Sequence, residues 1–409
     1  MSAPFVIFVS PYFTDNALRL LDAMTGIPDV RFGLISQDPL ERLVPYLRER
    51  LAAHRPVDDA LDTGQLVAAA QALAQQNGPV HRLFGAVEQL QVPLAEARER
   101  LGVEGMSTEA ARNFRDKERM KTILRAAGLP CARHRLVTSD AEAWAFAKEV
   151  GYPLVIKPPA GAGSQATFRV NQPPELAQAL KTTAPAPAQP VLFEEFIMGD
   201  EHSWDSISVN GRPLWHSYTH YYPTPLEVMR NPWIQWCILL PREKDEPEYD
   251  DVREAAERTL SVLGMTTGMT HLEWFRRRDG SMAISEVAAR PPGAQITTLL
   301  SRAHDVDFPQ LWAKVMIFGT FDPPPSRRYA VGAAFLRGQG QGVVKAIHGL
   351  EQAEREIGHL VCDAKLPRLG QSPSPSYEGE GYVIMRHPET AVVEQALYHL
   401  ISVVRVELG

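Results

Sequence analysis

Two glutamates, Glu273 and Glu286, flank a turn in the stretch HLEWFRRRDGSMAISEVAAR that runs from His271 to Arg290. Asp279–Gly280 is a strong signal for a two-residue hairpin turn. A register built around that turn sets Phe275 opposite Ile284, Glu273 opposite Glu286 and His271 opposite Ala288. Directly opposed side chains on paired strands have Cβ atoms roughly 4.5–5.5 Å apart, and like charges there repel. Two facing carboxylates therefore need a shared proton, an arginine or a cation. Arg290 offers one positive charge, and a divalent metal offers two. Mg²⁺ is usually held by one or two carboxylates together with substrate phosphates, so the pair suits a metal–nucleotide complex. The hairpin alone leaves open a solvated face, or pairing of the glutamates with Arg276–Arg278.

Basic residues and a glycine-rich loop suggest where phosphates would lie. Lys157 ends the apolar strand LVIK, and a lysine in such surroundings needs an anionic partner or loses its charge. Gly161, Gly163 and Ser164 follow in PPAGAGSQA, where backbone N–H groups can cover phosphates; a plain loop after a strand is the competing reading. The GxxxxGK[ST] pattern is missing, so this is no P-loop, and no GxGxxG follows the first strand. Lys117 sits in NFRDKERMK, where an exposed charge ladder competes with a phosphate contact. Glu194 and Glu195 end the strand VLFEE before Phe196 and Ile197. A backbone edge there can pair with a purine, or it is an ordinary strand end.

These residues need elements to hold them. Strands at 5–10 and 31–36, with helices at 14–25, 40–53 and 64–76, predict a parallel α/β domain. A helix is predicted from Thr108 and Glu109 through Lys121 to Gly128. A helix at 140–150 and strands at 154–157 and 167–170 follow. TTAPAPAQP, 182–190, reads as a loop joining two subdomains. A strand from Val191, a hairpin turning at Asn210–Gly211, a helix at 250–263 and the 269–288 hairpin come next. The tail, 326–409, carries strands, the loop QSPSPS and a helix near 388–404. The expected domains are 1–110, 111–190 and 191–409, the last with an extension over 325–409. The aromatic-rich segment from His216 to Trp236 is expected to pack under a loop rather than line an acceptor pocket.

Composition narrows the function classes. Hydrophobic residues make up 44% of the 409 and charged residues 22%, enough apolar side chain for a sizeable core. A net charge of −7 argues against broad nucleic-acid binding. No apolar run approaches the roughly 20 residues of a membrane helix, and MSAPFVIFVSPYF lacks the pattern of a signal peptide. Three scattered cysteines, Cys131, Cys237 and Cys362, exclude a disulfide framework and fit a reducing cytoplasm.

Taken in order, RDKERMKTILRAAGLP, GYPLVIKPPAGAGSQA, VLFEEFIMGDE and HLEWF…ISEVAARPPG resemble the ATP-grasp superfamily. The subgroup they resemble most is the carboxylate–amine ligases that join amino acids, the L-amino acid ligases. The tail GQGQGVVKAIHGLEQAEREIGHLV…EGEGYVIM is similar to the C-terminal part of that subgroup. The resemblance implies an α/β fold, α+β in its catalytic part: an N-terminal parallel domain, a small lid and an antiparallel-sheet subdomain. It implies that Lys117 and Lys157 contact ATP phosphates, with Gly161, Gly163, Ser164 and Gln165 in a loop that closes over them. Glu194, Glu195 and Ile197 would frame adenine, the last two through backbone atoms, and Glu201 would hold the ribose. Glu273 and Glu286 would bind Mg²⁺, or Mn²⁺ in its place, and Arg290 with Lys157 would be catalytic.

The implied reaction activates a carboxylate as an acyl phosphate for attack by an amine, with amino acids as substrates and a homodimer as the common assembly. Glu88 falls where the subgroup often places a substrate-facing acid; a helix-surface glutamate is the competing reading. One departure stands out: the family's usual Asn two residues after the second metal-binding Glu is here Ala288, which cannot ligate. That leaves the number of metal ions open. Two alternative functions fit the same motifs: a bicarbonate- or nucleotide-precursor ligase of the biotin carboxylase or purine type, and an ATP-binding regulatory protein without turnover.

Overall fold

The computed structural model describes residues 3–160, 167–231, 234–243 and 246–409. Among these the strands form four sheets. The first holds β1 (Phe5–Val9), β2 (Arg31–Ser36), β3 (Ala53–Pro56) and β4 (Val80–Phe84), all parallel, in the order β3-β2-β1-β4. Helices α1 (Asp15–Thr25), α2 (Pro45–Arg50), α3 (Thr63–Asn77) and α4 (Gln91–Leu101) accompany it. The helix expected over 40–53 is split and ends three residues early. Leu40–Arg42 makes one 3₁₀ turn, Pro45 starts α2, and extended Leu51 leads into β3. Pro45 sits in the first turn of its helix because it has no N–H to give further along.

The helix expected from 108 to 128 is two helices, α5 (Thr108–Arg115) and α6 (Lys117–Ala126). Asp116 breaks them apart: its backbone is extended, and its side chain accepts from the N–H groups of Glu118 and Arg119. The break leaves the Lys117 N–H outside any helical ladder, and it donates to Pro159 O at 3.0 Å. A sequence pattern of helix formers therefore hides the corner that delivers Lys117 to the site.

A small antiparallel sheet follows, β5 (His134–Val137), β6 (Leu154–Lys157), β7 (Phe168–Val170) and β8 (Val191–Glu195), ordered β5-β8-β6-β7. It is backed by α7 (Asp140–Val150) and α8 (Pro173–Thr183), which share its core through Phe146, Leu176 and Phe193. Residues 182–190 turn within this unit, with Ala186 bridged to Gln189. They do not join two subdomains, because β8 lies between β5 and β6. A boundary at 190 would remove that central strand from its sheet.

The third sheet is built from β9 (Gly199–Val209), β10 (Arg212–Tyr222), β11 (Trp236–Leu240), β12 (Gly268–Arg277) and β13 (Met282–Ala288), with α9 (Pro225–Arg230) and α10 (Asp250–Leu263) between them. Helices α11 (Ile296–His304) and α12 (Phe308–Phe318) precede β14 (Ala330–Leu336), β15 (Gly338–Gly340), β16 (Val344–His348), α13 (Leu350–Ile357), β17 (Val361–Lys365), β18 (Gly381–His387), α14 (Thr390–Val403) and β19 (Arg405–Leu408). The large sheet runs β13-β12-β9-β10-β11-β14-β18-β17, and β15-β19-β16 makes the fourth. Asn210 and Gly211, both at positive φ, turn β9 into β10. Phe84 packs edge-on between Phe8 and Trp312, so the first sheet and the large sheet share one core.

The β12–β13 hairpin is offset twice. Gly280, at φ 84°, closes a turn in which the Arg277 N–H donates to Ser281 O, one residue out of the expected register. Phe275 therefore faces Ala283 rather than Ile284, and Trp274 faces Ile284. A bulge at Ser285 then restores the count, so Glu273 does face Glu286 and His271 does face Ala288.

Candidate active site

The large sheet and the small sheet enclose a cavity of about 620 Å³. Lys117, Lys157, Glu194, Glu195, Ile197, Glu201, Glu273, Glu286 and Arg290 all line it, although they come from six different elements and the segments between them. Gly161, Gly163, Ser164 and Gln165 lie outside the described residues.

Charges in this cavity are paired across it. Lys117 Nζ is 2.5 Å from Glu286 Oε1, and its side chain is almost fully buried, so it belongs to no exposed ladder. Burial opposes a charged Glu286, but Lys117 and then Lys157 outweigh it and hold the carboxyl at about 2. Lys157 Nζ is 2.9 Å from Glu194 Oε2. Burial works to lower this ammonium, yet Glu194 and Glu286 keep it above the ordinary lysine value. On the opposite strand, Glu273 Oε1 lies 3.5 Å from His271 Nε2, and His271 Nδ1 is 2.6 Å from buried Asp205. Burial would depress this imidazole, but Asp205 and Glu273 raise it to about 9.

Glu194 is held by charges as well as placed on the cavity wall. Its carboxylate lines the cavity between two ammonium groups, Lys157 Nζ at 2.9 Å and Lys121 Nζ at 3.4 Å. The reason is burial: with side-chain exposure of 6%, it needs cations at hand. Glu195 reaches outward to Arg133 at 2.5 Å. Ile197 is buried against Ala132 and Ala283. Glu201 is buried, and burial followed by the charge on Glu273 pushes its carboxyl well above the usual range.

Arg290 is anchored to Glu88, with Nε and Nη2 at 3.2 and 2.9 Å from Glu88 Oε2. Arg115 Nη1 approaches the other oxygen at 3.3 Å. Glu88 is therefore a buried cavity residue held by two guanidinium groups and not a surface glutamate. The aromatic segment divides: Tyr221 and Trp236 line the cavity, whereas Tyr218 stacks on Tyr249.

Sequence reasoning missed Arg115, Lys121, Arg169, Asp205 and Tyr377. Arg169 lines the cavity and stacks over Phe196 at 4.1 Å. Tyr377 enters it from the loop after QSPSPS, far along the chain. The lysine spacing 117–121 was available as a signal, since i and i+4 share a helix face. Nothing local marks Asp205 or Tyr377.

Among the described residues no three His, Cys, Asp or Glu side chains form a metal cluster. Glu273 and Glu286 do face each other from adjacent strands on the cavity wall, and Glu286 already holds a cation, the Lys117 ammonium. Two carboxylates completed by phosphate oxygens are a donor set that suits Mg²⁺.

Comparison with known proteins agrees with this geometry. Residues 122–303 match the ATP-grasp domain family. An alanine–anticapsin ligase of Bacillus subtilis is 27% identical over 248 residues, covering 56% of this chain and 52% of its own. An L-arginine-specific L-amino acid ligase of Bacillus subtilis is 23% identical over 252 residues, 60% of this chain and 59% of its own. The matches thus span little more than half the length of these curated relatives. The crystal structure of an L-amino acid ligase from Bacillus licheniformis superimposes over 100% of both chains with a TM-score of 0.78 at 18% identity, a likeness of fold. Residues 122–303 thus carry an ATP-grasp domain, and the chain around them is similar to the L-amino acid ligases.

Proposed function

We propose that the chain is an ATP-dependent carboxylate–amine ligase that joins amino acids through an acyl phosphate, releasing ADP and phosphate. The observation that carries this reading is the convergence of Lys117, Lys157 and Arg290 with Glu273 and Glu286 on one cavity wall. A free carboxylate resists amines because oxide is a poor leaving group. A carboxylate oxygen attacks the γ-phosphorus, and the bond to the ADP oxygen breaks. The amine nitrogen then attacks the acyl carbon, phosphate leaves, and the amine gives up its proton.

The residues supply alignment and charge. Lys117 and Lys157 exchange their carboxylate partners for phosphate oxygens. Glu273 and Glu286 would hold Mg²⁺, or Mn²⁺ in its place, and a cation there supplies positive charge against the phosphate oxygens. Arg290, oriented by Glu88, stabilises the oxyanion that forms when the amine adds. Backbone atoms of Glu195 and Ile197 frame the adenine, and Glu201 binds the ribose. Glu194 is the counter-ion of Lys157 until phosphate oxygens replace it. The three cysteines are free, which supports a reducing cytoplasm.

The test is an ADP-release screen over paired amino acids, with hydroxylamine added in parallel. Amine-dependent ADP release, with hydroxamate formed from the carboxylate substrate, is the expected result. ADP release driven by bicarbonate alone would transfer the protein to a different ligase branch. ATP binding with no turnover across the panel would remove the ligase reading.

A further inference from the structure

Lys121, buried beside the cavity, has no part in the mechanism proposed above. Lys121 has no exposed surface at all, and it lies one helical turn beyond Lys117 on α6. Its Nζ donates to Ser285 O at 2.7 Å and faces Glu194 Oε1 at 3.4 Å. Burial pulls this ammonium below the ordinary lysine value, and Glu194 opposes the fall. A full charge buried this deeply is costly to keep unless its contacts matter.

Those contacts lie at a particular place. Ser285 is the bulge residue of β13, the extra residue that brings Glu286 opposite Glu273. β13 is also the end strand of the large sheet, so its outward backbone groups have no neighbouring strand of that sheet. Part of that edge is covered at two successive residues. Ile284 is bridged by Cys131 in parallel, with its N–H donating to Pro130 O at 2.8 Å, and the carbonyl of the following residue, Ser285, accepts from Lys121. Without that donor the bulge carbonyl loses its partner, and the peptide leading into Glu286 loses its fixed direction. Through Glu194, the same ammonium ties β13 to β8 of the small sheet, whose carboxylate also holds Lys157.

We infer that Lys121 is a positioning residue: it holds the Ser285 bulge so that Glu286 points at the cation beside the nucleotide phosphates, and it keeps Glu194 paired when Lys157 turns to phosphate. This rests on the ligase reading and specifies how its cation site is aimed. Residues that orient a metal ligand from behind commonly account for about 10–100-fold in metal affinity.

The experiment measures Mn²⁺ binding in the presence of ADP by electron paramagnetic resonance, and ADP binding without metal by calorimetry. Lys121→Met alone leaves Glu194 with a single cation and risks the fold, so it is paired with Glu194→Gln. The double variant is compared with Glu194→Gln alone. The expected result is a Mn²⁺ dissociation constant about 10–100-fold higher in the double variant, with metal-free ADP affinity within about threefold. Unchanged Mn²⁺ affinity overturns the inference, as does an equal loss of both affinities, which marks a purely structural lysine. Glu286→Gln separates the two levels. If the wild type binds no Mn²⁺ with ADP, or Glu286→Gln binds it equally well, the cation site itself is wrong. If Glu286→Gln loses Mn²⁺ while the double variant does not, only the role of Lys121 falls.

Discussion

Replacing Glu286 by glutamine removes one charge and keeps the shape of the side chain. The carboxylate it removes lies 2.5 Å from Lys117 Nζ and is about four-fifths buried. Its folded-state value of about 2 lies below the ordinary 4.5 because Lys117 and Lys157 overcome the effect of burial. At about 1.4 kcal/mol per pH unit, the difference corresponds to at most about 3.5 kcal/mol of stability at neutral pH. The folded value is depressed, so this contribution is full above about pH 4.5 and is lost as pH falls toward about 2. Metal-free Glu286→Gln protein should therefore unfold at lower urea than the wild type, by the same margin at about pH 6 and about pH 8. Below about pH 4 the margin should shrink. In the same protein, ADP formation should disappear. Urea titrations followed by fluorescence and a coupled ADP assay read the two effects separately. A variant with wild-type urea resistance would refute the ion pair. A variant that still forms ADP at the wild-type rate would refute the role of Glu286 at the cation.

Three other outcomes can be checked directly. Lys157→Ala should weaken binding of a non-hydrolysable ATP analogue roughly 10–100-fold, the loss of a charged hydrogen bond of about 1.5–3 kcal/mol, measured by calorimetry; unchanged affinity removes its phosphate role. Arg290→Ala should lower turnover by about 10²–10³ while nucleotide affinity stays within about threefold. A loss confined to nucleotide affinity would show that Arg290 binds ATP instead of the oxyanion. His202 and His220, rings 4.6 Å apart, are kept neutral by burial, at about 3 and about 4 against an ordinary 6.5. The unfolded chain takes up those protons first, so stability is full above about pH 6.5 and falls on acidification by about 1.4 kcal/mol per pH unit per histidine. His202→Phe with His220→Phe should flatten that slope in urea midpoints between about pH 7 and 5, and an unchanged slope refutes the assignment.

The parts legible in the sequence were those with short-range causes. Gly151 and Pro153 after a helix, Asn210–Gly211 between strands and the apolar run LVIK predict elements that the chain forms at 140–150, 199–222 and 154–157. The facing of Glu273 and Glu286 was also legible, though for an incomplete reason. The turn contains three residues rather than two, and the Ser285 bulge cancels the error. A bulge has no sequence signature comparable to D-G, since it is imposed by what lies beside the strand, here Lys121 and Pro130. The corner at Asp116 was hidden because its neighbours are all good helix formers, and only the capping geometry reveals it. Glu194 as a counter-ion, Glu88 as an anchor for Arg290, and Asp205 behind His271 depend on contacts across 27 to 202 residues of chain. No local pattern encodes contacts of that span.

The paired offsets in the 268–288 hairpin make its exposed tip permissive in chemistry and strict in length. Arg278, Asp279 and Ser281 are exposed and could be exchanged without touching the cavity, whereas Gly280, at φ 84°, is fixed by the turn. Deleting or inserting one residue there, with the Ser285 kink left in place, would slide one acid past the other and swing alternate side chains to the far side of the ribbon. Among homologous chains, a change in loop count at this tip should therefore travel with a second change at the kink.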